Sequence, residues 1–333
     1  MKKVSLNKVA AAVTTAALLS GCGLSAGSSV PLEVKPGSIR PVPQLRDVEI
    51  TVGSKDFSEQ VVLGYLAEFA LTAAGAKVRD LTNISGSNSQ RDALTSGQID
   101  LVWEYTGTSW ISYLGNTDPI PDAAAQFEAV RKADLAKNKV VWVNMAPLDN
   151  TYAFAMTRQT AQRLGIRTMS DIAELARENP AEATFCVETE YANRNDGFPG
   201  VQKTYGFTAK KENVRTLATG AIYPAMTDSR ICNFGEVFTT DGRILALDLA
   251  VAEDDKKFFP RYNAALNIRQ ELFQKHPEIA DVLKPIADRL TNDVMIRLNA
   301  KVDVDGKDPA DVARNWLVEQ GFVTLTGPVV TRG

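Results

Sequence analysis

Tyr105 follows an apolar, β-rich stretch at 99–103 and precedes Thr106-Gly107, so its ring stands at the C-terminal end of a predicted strand. Open α/β sheets gather small ligands just outside such ends. The π face of a tyrosine attracts a cation by about 0.5–2 kcal/mol. One ring is a weak site. Three or four rings arriving from different strands and loops would surround a cation that has methyl groups in place of N–H donors. No tight motif is expected from such a site, only aromatics at strand ends that face a cleft.

Catalytic chemistry finds less support. The chain has no Gly-x-Ser-x-Gly elbow, no Walker-type phosphate loop, no His-Glu-x-x-His and no Cys/His nucleophile pair. Glu188 and Glu190 are close in sequence, but neighbouring carboxylates on a strand are ordinarily solvated. The one histidine, His276, precedes Pro277 in a helix-end context, and two widely spaced cysteines add no metal-ligand cluster. No enzyme activity, metal or cofactor is expected. A formal charge of −3, from 37 basic and 40 acidic residues, argues against nucleic acid as a partner.

The elements that must position Tyr105 alternate in type. Strands are predicted at 48–52, 77–81, 99–103 and 140–143, with helices at 58–73, 90–96 and 123–137 between them. An extended segment at 150–156 leads into helices at 160–164, 169–178 and 197–205, with strands at 183–187, 213–217 and 235–238. The chain is expected to return to its first half through 245–251, and helices at 270–276, 278–290, 291–302 and 309–319 finish it. The pattern is α/β with a mostly parallel sheet and room for two lobes.

The N-terminus reads as an address. Lys2, Lys3 and Lys8 precede an apolar run at 9–19, too short to span a bilayer but suited to a signal peptide. Leu19-Ser20-Gly21-Cys22 looks like a bacterial lipobox, which implies cleavage before Cys22 and a lipid on its thiol. Residues 23–46, rich in Gly, Ser and Pro, read as a flexible tether with a reach on the order of 27 Å. Cys186 and Cys232 remain, either as a disulfide in an oxidising compartment or as two buried thiols.

Taken together, Gly53-Ser54-Lys55-Asp56-Phe57-Ser58-Glu59-Gln60, Trp103-Glu104-Tyr105-Thr106-Gly107-Thr108, Asn150-Thr151-Tyr152, Arg194-Asn195-Asp196-Gly197 and Thr239-Thr240-Asp241-Gly242 resemble the glycine betaine/choline-binding proteins of osmoprotectant ABC importers. The resemblance runs from about 48 to 322. It implies a two-lobe type II periplasmic-binding-protein fold with a ligand cleft between lobes joined by two crossing strands. The expected divisions are a signal peptide at 1–21, lipidated cysteine and tether at 22–46, lobe 1 at 47–148 and 253–333, and lobe 2 at 149–252. The expected setting is extracytoplasmic, lipid-anchored to the bacterial membrane, monomeric, with permease subunits as partners.

By the same resemblance, Tyr105, Tyr152, Phe238 and Tyr262 form the cage, with Asn150 a neighbouring polar contact. Phe238 stands where the family often has tyrosine, so the π face is kept and the hydroxyl lost. Arg194 matches an arginine that grips a betaine carboxylate in a bidentate fork. Gln60 matches a position that touches ligand in some members, and Lys55 belongs to the cleft mouth. Phe57, Tyr65, Trp103, Trp110, Tyr113 and Trp142 read as fillers. Asn88 stands where choline-binding relatives can carry aspartate, which tilts the expectation toward glycine betaine. Choline, carnitine, proline betaine and ergothioneine remain alternatives on the same scaffold, and a structural lipoprotein is a more distant one.

Overall fold

A computed structural model describes residues 34–325, apart from Pro119 and Ser229. The signal peptide, Cys22 and the first part of the tether lie outside the described residues.

Among the described residues, twelve strands build three sheets. They are β1 (Val34–Pro36), β2 (Glu49–Lys55), β3 (Lys77–Ile84), β4 (Leu101–Tyr105), β5 (Val140–Val143) and β6 (Tyr152–Thr157), followed by β7 (Phe185–Val187), β8 (Val214–Thr216), β9 (Phe234–Phe238), β10 (Leu249–Val251), β11 (Ala264–Arg269) and β12 (Val323–Leu325). The first lobe holds a five-stranded sheet in the order β3-β2-β4-β11-β5, the second a five-stranded sheet in the order β10-β6-β9-β7-β8. In the first sheet β11 alone runs antiparallel to both neighbours, and in the second β6 does. Each of these two is the strand that receives the chain as it arrives from the other lobe.

Burial explains the apolar runs. All five residues of β4 are buried, as expected for a central strand covered on both faces. The helix Ser58–Ala74 is buried on nearly every side, because the sheet lies on one flank and the helices Glu278–Ala287, Asn292–Asp303 and Pro309–Glu319 on the others. It ends at Gly75, whose left-handed conformation (φ 104°) lets its N–H close on the Leu71 carbonyl.

Two segments, 144–151 and 252–263, join the lobes and run side by side. Asp149 and Asn263 form an antiparallel bridge, and Asn150 N–H donates to the Tyr262 carbonyl at 3.2 Å. The return is therefore at 252–263 and not at 245–251. There, Leu249–Val251 is the edge strand β10 of the second sheet, and the apolar run before it is a short helix, Arg243–Ala246. The strand that the return delivers, β11, was not predicted; its Asn267 and Arg269 break the apolar pattern although Asn267 is fully buried.

The tether expectation also needs correction. Within 34–46, β1 pairs antiparallel with β12, and Leu45 is fully buried. A strand-to-strand contact between the two ends of the chain leaves no local signature. Cys186 in β7 is bonded to Cys232, just before β9, with Cα atoms 5.8 Å apart.

Candidate functional site

The cleft between the lobes has a volume of about 1010 Å³, the upper end of the roughly 300–1,000 Å³ common for small-molecule sites. Tyr105, Tyr152, Phe238 and Tyr262 all line it, with Asn150, Asn88, Arg194 and Lys55. The paired crossings explain how residues so far apart in sequence meet. Asn150 and Tyr262 sit opposite one another on the two crossings, Tyr152 opens β6, and Phe238, its cross-strand partner, closes β9.

The rings form an arc. Tyr152 lies 5.2 Å from Phe238 and 5.2 Å, edge on, from Tyr262. Phe57 stacks on Phe238 at 5.1 Å and reaches Tyr105 at 6.2 Å. Phe57, read from sequence as a filler, is therefore a fifth ring of the wall; it stands at the N-cap of the helix Ser58–Ala74, two residues past the end of β2. Trp103 and Trp142 are core residues, as expected. Burial raises the hydroxyl pKa of Tyr105, Tyr152 and Tyr262 well above the ordinary range, so these phenols stay neutral.

The glycine of the Tyr-Thr-Gly-Thr motif now has a physical reason. A Cβ on Gly107 would stand 2.7 Å from the Tyr262 ring and 2.8 Å from the Arg261 carbonyl. Only glycine lets the end of β4 approach the returning crossing this closely. Thr106 adds to the contact, its N–H donating to the Asn263 carbonyl at 3.0 Å and its hydroxyl to the Arg261 carbonyl at 3.1 Å.

Beneath the arc lies Glu59, fully buried. Its Oε1 accepts from the Tyr105 hydroxyl at 2.7 Å and Asn150 Nδ2 at 2.9 Å; its Oε2 accepts from the Thr240 hydroxyl at 2.6 Å and Asn299 Nδ2 at 2.9 Å. Four donors from both lobes and the crossing fill the acceptor positions of one carboxylate. Desolvation pushes its pKa up while the four hydrogen bonds pull it down, and burial prevails.

Two expectations change, for Gln60 and Arg194. Gln60 is buried behind the wall and is absent from the cleft lining; its Oε1 accepts from Gln90 at 3.3 Å, because the helix turn that aims Glu59 at the crossing aims Gln60 at the core. Lys55 lines the cleft but is bound to Glu104 at 2.8 Å, with both side chains buried. Arg194 does not present a free fork. Its Nε and Nη2 donate to Asp196 at 2.8 and 2.5 Å, and its Nη1 donates to Glu190 at 2.8 Å.

The acidic content of the cleft was not foreseen. Glu188, Glu190 and Glu236 all line it from lobe 2. Glu236 lies two residues before Phe238 on β9, and period-2 alternation turns both to one face; that spacing was the signal available in the sequence. Burial raises Glu236 to about 8, though the Glu188 N–H that donates to it works the other way. Burial also works against charge at Glu190, but Lys55 and Arg194 bring it down to about 2. The neutral Asn88 therefore no longer separates a zwitterion from a cation, because Glu190, held ionised, enters from the opposite wall.

Two α/β lobes, two paired crossings and a ring-walled cleft between them define a type II binding protein. Residues 48–319 match the family described as the substrate binding domain of an ABC-type glycine betaine transport system, and the chain belongs to that family. It is a transport substrate-binding protein, extracytoplasmic, and not an enzyme. A glycine-betaine-binding protein of Pseudomonas aeruginosa is 38% identical over 275 residues, covering 81% of this chain and 87% of that one. An ergothioneine transport permease/ergothioneine binding protein of Helicobacter pylori is 32% identical over 84% of this chain and 49% of its own length. A crystal structure of a glycine betaine/carnitine/choline ABC transporter superposes with TM-score 0.66 at 28% identity, covering 83% of this chain and 99% of the other. Among the described residues no helix is long and apolar enough to cross a membrane.

Proposed function

We propose that this chain captures a quaternary ammonium osmoprotectant, glycine betaine foremost, and hands it to the permease subunits of an ABC importer while lipid on Cys22 holds it at the membrane. The observation that carries the reading is the arc of Tyr105, Phe57, Phe238, Tyr152 and Tyr262 along one cleft. Water solvates a quaternary ammonium weakly, so a site competes by surrounding it with electron-rich faces, each worth about 0.5–2 kcal/mol. The lobes meet over the cleft through Thr240–Glu59 and Phe57–Phe238, so ligand contacts from both sides favour the shut form.

Choline is the second reading, favoured by the ionised carboxylate of Glu190 in the same wall. Isothermal titration with glycine betaine, choline, carnitine and ergothioneine tests the class. Absence of binding by every quaternary amine at millimolar concentration rejects it. For the anchor, Cys22→Ala protein is expected to leave the membrane fraction; retention there with unchanged processing rejects lipidation.

A further inference from the structure

Glu190 reaches across the mouth of the cleft. Its Oε1 accepts from Arg194 Nη1 at 2.8 Å, and its Oε2 accepts from the Ser87 N–H at 3.0 Å. Ser87 opens the helix Ser87–Ser96 of lobe 1, whose N-cap is Gly86 and which has no side-chain cap of its own. A carboxylate from lobe 2 therefore fills the place where a guanidinium and a helix N-terminus of opposite lobes face one another, the kind of place that suits an anion.

The charges around it do not balance. Arg194 is already neutralised by Asp196, which takes two of its N–H groups, and Lys55 by Glu104. Glu190 is the unmatched charge of this group, with its side chain one-third exposed toward the cleft (32%). A ligand carboxylate arriving near Arg194 meets this net negative charge; a ligand that is only a cation is drawn to it.

Resting on the reading of the cleft as a quaternary ammonium site, we infer that Glu190 is a specificity-determining residue, a built-in carboxylate that occupies the anion end of the cleft and shifts selectivity from zwitterions toward cations. It acts by charge and position and makes no covalent step. Its pairing with Ser87 also means that the anion end is complete only when the lobes are shut.

The test is isothermal titration of the purified protein and of Glu190→Gln and Glu190→Asp with glycine betaine and with choline. Gln keeps the size and the acceptor for Ser87 but removes the charge; Asp keeps the charge. In Glu190→Gln the ratio of glycine betaine to choline affinity is expected to rise at least 10-fold, with betaine tighter and choline weaker, while Glu190→Asp stays within about 3-fold of wild type. Melting curves establish that each variant is folded. If both ligands change by the same factor in Glu190→Gln, Glu190 is only a strut and the inference is overturned. It is equally overturned if the ratio moves toward choline, or if Glu190→Asp shifts the ratio as Glu190→Gln does. If wild type binds neither ligand, the reading of the cleft itself falls and takes this inference with it.

Discussion

The Tyr262 hydroxyl donates to the Asp196 carboxylate at 2.6 Å, joining the returning crossing to lobe 2. Asp196 is held in turn by the Arg194 fork, and the Arg194 guanidinium lies 5.8 Å from the centre of the Tyr152 ring. Arg194 thereby orients two rings of the wall. Tyr262→Phe keeps the ring and removes the bond, so glycine betaine affinity is expected to fall by about 1 kcal/mol, roughly 5-fold. Tyr262→Ala, which also removes the π face, is expected to lose more. Titration calorimetry on the two variants compares them; equal losses would mean that the ring itself contributes nothing.

Glu59 connects the wall to closure. Replacement by Gln keeps the shape but turns an acceptor into a donor, which then faces Asn150 or Asn299, themselves donors at this point. Glu59→Gln is expected to lower stability by about 1–3 kcal/mol and to weaken ligand binding, since Thr240 reaches Glu59 from the other lobe. Chemical denaturation and titration measure the two effects. Unchanged stability would show that the four bonds do not act together.

Glu68 supplies a pH prediction away from the cleft. It is fully buried on the helix Ser58–Ala74, and neither carboxyl oxygen has a hydrogen-bond partner among the described residues. Burial, and then the charge of Asp80, raise its pKa from 4.5 to about 9. Between those values the folded chain keeps a proton that the unfolded chain has released, so this residue's contribution to stability falls as pH rises from about 4.5 to 9. Glu68→Gln removes the dependence. The variant is expected to match wild type near pH 4.5 and to exceed it by on the order of 3 kcal/mol at pH 8. Melting temperatures of both proteins across this range check the sign; a constant difference would place the ionisation elsewhere.

Much of this was legible in the sequence, for reasons that differ by element. β5 and the helix Met169–Glu178 fall at their predicted bounds because periodicity is a local signal. The positions of Tyr105, Tyr152, Phe238 and Tyr262 came from family motifs, and the fold brings all four to one cleft. What escaped was non-local. β11 carries Asn267 and Arg269, and only its place between β4 and β5 makes it a strand. Gln60 and Glu59 are adjacent letters that a helix turns to different surroundings. The Arg194 fork was assigned to a ligand because sequence shows the arginine but not which carboxylate reaches it first.

The disulfide closes a loop with a sequence separation of 46 between two strands of the lobe 2 sheet region. In the chain-entropy view such a cross-link stabilises by about 4 kcal/mol. Reduction, or Cys186→Ser with Cys232→Ser, is expected to lower the melting temperature of the protein while leaving ligand affinity within about 3-fold, since neither cysteine lines the cleft. Two reactive thiols in the denatured, unreduced protein would exclude the bond.

Phe57 gives the sharpest test of the wall, because no motif assigned it a ligand role. It enters from lobe 1, and its stacking partner Phe238, 5.1 Å away, enters from lobe 2. Neither ring can meet the other unless the lobes close, so the pair contributes both a π face for the ammonium and a contact specific to the shut form. Aromatic pairs contribute about 0.5–1.5 kcal/mol beyond simple burial, and a cation over the ring a comparable amount. Phe57→Ala is expected to weaken glycine betaine 5- to 30-fold, and Phe57→Tyr to stay near wild type because the ring is kept. Small-angle scattering of the ligand-saturated Phe57→Ala protein is expected to report a larger radius than wild type, as closure loses its interlobe stack. If affinity falls while the saturated radius is unchanged, Phe57 serves the ligand alone. If neither moves, the arc ends at Phe238 and Phe57 is the packing residue that its sequence position suggested.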